Sequence, residues 1–280
     1  MSTDYQRART VLGARLRELR TEAGFDGKGV AERLGWQRSK VSRLENGKQT
    51  PSAADLAAWA GAVGQPGLAD ELIAQLRGLE TRYRSWRRQL GGGHRPRQEL
   101  GILETQVTRN TRAMEVVRIP GLLQTAGYAH NVFSVAAEFR ESPKDTEEAV
   151  RARLRRQQAL YEPGRTFHFL LWEGALHART CPPEVMASQL DRLMSVIGLD
   201  TVTLGIIPTA ATLKRAPSHG FWIYDRRVVV VETIAAELWL DDIETIRVYE
   251  KAWDWLMESA VHGAQAQRLI TRARSLLASG

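Results

Sequence analysis

Leu12, Leu16 and Leu19 recur at helical spacing between Tyr5 and Ala23, and Gly24 closes that stretch. Asp26 is placed to cap a second helix that runs to Leu34. Gly35 and Trp36 then make a tight turn. A third helix covers about Gln37 to Asn46, with Val41 and Leu44 as its apolar face, and Gly47 stops it. Ser52 and Asp55 have capping-box spacing ahead of a fourth helix striped by Leu56, Trp59, Ala60 and Val63. After the Gly64-Gln65-Pro66-Gly67 break, a long helix is expected from Leu68 to Leu90, ending in basic and aromatic residues. Beyond Gly91-Gly92-Gly93 the pattern predicts helices over Gln98–Val117, Leu122–Ala137, Thr146–Tyr161 and Pro183–Val196, and again from Asp242 onward. Strand character falls at Thr166–Trp172, Val202–Ile207, Gly220–Tyr224 and Val228–Val231, with Asp225-Arg226-Arg227 as a hairpin turn. The expected fold is mainly α. A five-helix N-terminal domain (1–90) leads through a linker (91–97) into a larger mixed α+β domain with a small sheet (98–280).

Composition sharpens this division. A chain of 280 residues with 43% hydrophobic content can bury the cores of two domains. The net charge of +7 is confined to one part of it: residues 1–95 hold 17 Lys+Arg against 10 Asp+Glu, and the rest holds 22 of each sign. A basic module joined to a neutral one fits a nucleic-acid-binding head on a partner domain. Cys181 is the only cysteine, so no internal disulfide forms, and that usage fits a reducing cytoplasm. There is no apolar signal core at the N-terminus and no window of membrane-spanning length, so a cytoplasmic protein with no membrane contact is expected.

The third helix carries the chemistry. Opposite Val41 and Leu44 it presents Arg38, Ser39, Lys40, Ser42 and Arg43. A helix apolar on one side and cationic and hydrogen-bonding on the other suits the major groove of DNA. A bland reading stands beside this one. In it, Arg43 packs against Glu45 or Glu32, and Lys40 and Lys48 are solvated surface charges.

Between Phe25 and Gly47 the sequence resembles the phage-repressor, or XRE, class of helix-turn-helix domains. The residues that carry the likeness are Val30-Ala31, Leu34-Gly35, Val41-Ser42-Arg43-Leu44-Glu45 and Asn46-Gly47, followed by Thr50-Pro51-Ser52. The resemblance implies that Arg38, Ser39 and Arg43 read bases, and Lys40, Asn46 and Lys48 are placed to meet phosphates. It also implies that Arg20 and Glu45 form a structural ion pair. One small recognition helix contacts too few bases for specific affinity, so a homodimer on an inverted repeat in double-stranded DNA is expected, dimerised by the C-terminal domain. This chain departs from the pattern at Gly27, where the family has glutamine, and at Gln37, where it has a Ser or Thr cap. Both departures weaken one edge of the contact.

From Gln98 onward the sequence is similar to the C-terminal domain of WhiJ-like, antitoxin-like regulators of actinobacteria. The similarity is carried by Val117 to Thr125 (Val-Arg-Ile-Pro-Gly-Leu-Leu-Gln-Thr), Tyr128-Ala129, Arg153 to Gln157, Glu173 to Leu176 and Val230-Val231-Glu232. It implies a domain that senses a small, separately encoded protein partner or a ligand. The alternative it leaves is an antitoxin-like protein that mainly sequesters that partner and autoregulates. Gln124, Arg153, Arg156 and Glu173 are the candidate effector or partner site. Arg153 and Arg156, at i and i+3 of one helix, either clamp a carboxylate or phosphate or pair internally with Glu173 or Glu232. Trp222, Trp239, Trp253 and Trp255 line a pocket or an interface, or fill core.

Catalytic chemistry has no positive sign in the sequence. The six histidines have no metal-ligand spacing, and there is no Gly-x-Ser-x-Gly elbow or phosphate loop. The expectation is therefore no catalytic residue, no metal and no cofactor.

Overall fold

The computed structural model describes residues 4–277, and the chain divides into two compact units, one up to Tyr83 and one from Arg84 on. The first unit holds five helices: α1 (Asp4–Glu22), α2 (Gly27–Leu34), α3 (Arg38–Glu45), α4 (Ala53–Ala62) and α5 (Ala69–Arg82). Leu12, Leu16 and Leu19 of α1 meet Val30 and Ala31, Val41 and Leu44, Leu56 and Trp59, and Leu72 and Leu76 in one core. Trp59 is fully enclosed and satisfies its indole by donating to the Leu16 carbonyl at 3.2 Å.

The local signals read in the sequence act as expected. Asp26 caps α2 by accepting from the Gly29 N–H, and Ser52 and Asp55 form a reciprocal capping box on α4. Gly35 ends α2 at φ 65°, a left-handed conformation that costs glycine little. α1 and α3 cross at Gly13, where a Cβ would lie 2.5 Å from the Leu44 carbonyl oxygen.

The helix expected to run unbroken from Leu68 to Leu90 is instead four pieces. A 3-10 turn at Pro66–Leu68 leads into α5, then strand β1 (Tyr83–Ser85), then the short α6 (Trp86–Gln89). The units part at Tyr83, ahead of the glycine stretch expected to link them. Gly91–Arg97 belongs to the second unit. There both carboxylate oxygens of Asp145 accept from the His94 and Arg95 N–H groups at 2.7 Å, at the start of α7 (Arg95–Val107).

The second unit is built on an eight-stranded mixed sheet. The remaining strands are β2 (Asn110–Glu115), β3 (Thr166–Trp172), β4 (Val202–Ile207), β5 (Phe221–Tyr224), β6 (Val228–Glu232), β7 (Ala236–Leu240) and β8 (Val261–His262). Their order is β1-β7-β6-β5-β2-β3-β4-β8. β2, β3 and β4 run parallel. α8 (Ala126–Arg140) and α9 (Thr146–Gln157) cross between the first two, and α10 (Gly174–His177) and α11 (Pro183–Val196) between the second and third. α12 (Ile243–Met257) and α13 (Gly263–Leu277) follow the sheet. One sheet face packs Phe167, Phe169, Trp222 and Val230 with α11 and α13, and the other packs Met114, Ile223 and Val229 with Trp253 and Leu256 of α12.

β2 corrects the sequence reading, which made Gln98–Val117 one helix. Arg165 explains the stop, because its guanidinium donates to the Thr105, Gln106 and Thr108 carbonyls at the end of α7. β2 then lies between β3 and β5, with Thr111 and Ala113 buried on one face and Met114 on the other. The hairpin turn at Asp225 is present, with Asp225 at φ 53° and its Oδ1 accepting from the Arg109 and Asn110 N–H groups.

Candidate functional site

α3 is held from behind. Val41 and Leu44 bury its apolar side. Glu45, only 7% exposed, receives the Arg20 Nε at 2.5 Å and Nη2 at 3.2 Å. Arg20 spends its remaining nitrogen on the Phe25 carbonyl at 2.7 Å, which ties α1 to both ends of the two-helix motif. The Glu45 hydrogen bond, opposed by partial burial, raises the Arg20 pKa further above its ordinary value. Arg17, which sequence reasoning passed over, reinforces this clamp. Its Nη2 donates to Asn46 Oδ1 at 2.6 Å and its Nε lies 3.4 Å from Glu45. The signal was present: Arg17 stands three residues before Arg20 on the same face of α1.

The other side of α3 is open. Arg38, Ser39, Ser42 and Arg43 are exposed. Ser39 donates weakly to Gln37 at 3.4 Å, and Arg43 Nε donates to Gln49 Oε1 at 3.0 Å rather than to Glu45 or Glu32. Gln37 makes no side-chain cap, and the space beside Gly27 is empty. The phosphate candidates divide. Lys48 is exposed. Asn46 is taken up by Arg17 and by the Ser42 carbonyl, to which it donates at 2.8 Å. Lys40 is half-buried, with its ammonium 2.6 Å from Asp55 and 3.8 Å from the centre of the Trp36 ring. Burial works to raise the Asp55 pKa, but the Lys40 hydrogen bond and the Ser52 backbone and hydroxyl donors outweigh it and lower it. Lys40 thus fastens α3 to α4.

In the second unit, three of the four effector candidates gather and one does not. Arg153 donates to Gln98 Oε1 at 3.1 Å and to Gln124 Oε1, and its guanidinium lies 4.1 Å over Phe133. Arg156 donates to the Thr105 hydroxyl at 2.7 Å and to the Tyr224 hydroxyl at 3.3 Å. Among the described residues neither arginine forms an ion pair, so the expected internal pairing with Glu173 or Glu232 is absent. Glu173 sits elsewhere, beyond the end of β3. There it is buried and accepts from the Thr209 N–H at 2.7 Å, the Thr209 hydroxyl at 2.9 Å and Arg272 at 2.8 Å. Burial opposes these donors, and together they lower its pKa. Trp222 and Trp253 are buried and Trp239 is half-buried against the same core as Trp222. Among the described residues no group of three His, Cys, Asp or Glu is placed to hold a metal, and no helix is long and apolar enough to cross a membrane.

Residues 98–272 match a family described as a domain of unknown function (DUF5753), and residues 11–72 match a helix-turn-helix domain. No curated protein and no solved structure matches the chain.

Proposed function

The chain belongs to the family of the DUF5753 domain, with a helix-turn-helix domain ahead of it, and from that premise we propose a sequence-specific transcriptional regulator. It is of the XRE class, it binds an inverted repeat in double-stranded DNA as a homodimer, and its second unit responds to a small protein partner or ligand. One observation carries the DNA reading: α3 turns Arg38, Ser39 and Arg43 to solvent while its back is locked by Glu45. An arginine bonding the two acceptors of a guanine is worth about 1–3 kcal/mol of discrimination. A single short helix contacts few base pairs, which is why two copies are required.

Binding to genomic DNA fragments, followed by fluorescence anisotropy on the selected site, tests this. A saturable complex that weakens steeply with salt is expected. Arg43→Ala should bring operator and scrambled DNA closer in affinity by roughly 1–3 kcal/mol. Unchanged discrimination would remove Arg43 as a reader of bases. A stoichiometric small protein co-purifying from the native cell, with weak operator discrimination, would favour the sequestering role instead.

A further inference from the structure

On the sheet face that carries Trp222 and Val230, strand alternation lines up acids in one row. Glu115 ends β2, Glu232 ends β6 and Glu237 lies directly opposite Glu232 on β7. The β2–β5 register runs Glu115 onto Gly220, where a Cβ would come within 2.7 Å of Glu115 Oε2. Following the Trp222–Val230 pair two residues outward brings Gly220 beside Glu232. The row therefore reads Glu115, Gly220, Glu232, Glu237 across four adjacent strands, next to a row that contains Trp222 and Trp239.

Like charges directly opposite each other weaken a sheet unless something neutralises them. Arg97 does so for Glu237, by an ion pair in which Glu237 is wholly buried. The other two carboxylates are left open. Glu115 accepts one hydrogen bond, from the Trp222 indole at 2.9 Å. Glu232 has no direct hydrogen bond or ion pair among the described residues and remains exposed to solvent.

Cations stand near but do not close onto these acids. Arg153 and Arg156 are anchored by neutral amides and hydroxyls, and each lies against a glycine. A Cβ at Gly121 would be 3.3 Å from Arg153 Nε, and one at Gly101 would be 3.0 Å from Arg156 Nη1. Arg118 is exposed and makes no direct hydrogen bond or ion pair among the described residues. Arg153 and Glu115 both keep partial access to solvent. Burial, opposed by Glu232 and reinforced by the neighbouring Arg156, Arg97 and Arg118, pulls Arg153 down to about 9, and burial reinforced by Glu232 drives Glu115 up to about 8. Behind Arg153, across Phe133, the His94 ring is buried with Nε2 unpartnered. Arginine side chains reach far enough to make ion pairs, as Arg97 does. Holding both signs apart costs stability that a bound molecule can return.

We propose that this cluster of charges binds a small amphoteric organic molecule, with its anionic group at Arg153, Arg156 and Arg118, its cationic or N–H group at Glu115 and Glu232, and its body against Trp222. The two acids disfavour a multiply charged anion, which sets this ligand apart from free phosphate. The proposal deepens the reading of the second unit as the receiving end of a regulator, and it names the chemistry received.

The test uses the full chain, with the Trp222 indole N–H resonance, assigned through Trp222→Phe, as reporter. The probes are 4-(aminomethyl)benzoate, benzoate, benzylamine and inorganic phosphate. The amphoteric probe should shift that resonance and bind at least about tenfold tighter than each of the other three. Arg153→Gln should abolish the effect. Because Arg153 also braces Gln98 and Gln124, Arg118→Ala and Glu232→Gln serve as variants at exposed positions, and each should weaken binding by about tenfold. Equal binding of benzoate or phosphate, no shift with any probe, or indifference to both exposed variants would overturn the proposal. Operator binding is measured on the same samples without probe, so a failure of the DNA reading is seen separately.

Discussion

Two single residues illustrate opposite uses of space and charge. Gly13 lets α1 and α3 touch backbone to backbone, with the Leu44 and Glu45 carbonyl oxygens 2.5 Å and 2.7 Å from where a Cβ would stand. Gly13→Ala should therefore destabilise the first unit by roughly 1–3 kcal/mol despite its better helix propensity, as read from thermal unfolding. Glu115 works through protonation. Burial, with Glu232 adding to it and Trp222 and Arg118 opposing, lifts its carboxyl from an ordinary 4.5 to about 8. Below the lower value both folded and unfolded chains hold the proton. Between the two values only the folded chain keeps it, so this contribution to stability is lost as pH rises through about 8. The stability difference between Glu115→Gln and the parent should grow in favour of the variant across that window, by on the order of 3 kcal/mol. Urea titrations at the two ends measure it, and a constant difference would show that Glu115 ionises normally.

At the scale of elements, the helix ends that carry their own chemistry were the most legible. Asp26, Gly35, Ser52 and Asp55 announce α2 and α4 within a few residues, and the structure uses each of them locally. Elements defined by distant partners were not legible. α7 takes its N-terminal acceptor from Asp145, fifty residues away, and its C-terminal donor from Arg165. Asp145→Ala leaves the His94 and Arg95 N–H groups without that acceptor and should cost about 1–2 kcal/mol, measurable by denaturant unfolding. β2 was hidden because Arg112 and Glu115 interrupt the expected alternation. Their places are set by Glu250 and by Trp222, neither of which is near in sequence. The resemblance and its charge place Glu173 with Arg153 as a candidate, while its partners come from the end of β4 and from α13. The acid row across β2, β5, β6 and β7 was invisible for the same reason: register brings its members together, and register is not written in any one segment.

For the whole molecule, the charge division read at residue 95 does not follow the folding units: up to Tyr83 the chain holds 13 Lys+Arg against 10 Asp+Glu, and from Arg84 on 26 against 22, so both units are mildly basic. Leu100, Leu103 and Val107 of α7 are exposed at 51%, 58% and 67%, an apolar stripe at helical spacing on the second unit. If the proposed homodimer forms through that stripe, Leu103→Glu should yield a monomer in analytical ultracentrifugation with Tm little changed, and operator affinity should fall by more than tenfold, since two half-sites no longer bind together. A persistent dimer would move the interface elsewhere. The arrangement of α3 has one more consequence. Glu45, Asn46 and Lys40 bear the mechanical load, while Arg38 and Ser39 bear none. Under the proposed DNA reading, target preference can therefore drift, or be redesigned, by exchanging those outward side chains on an unaltered frame, and a lineage carrying this scaffold would acquire new operators without refolding its reader.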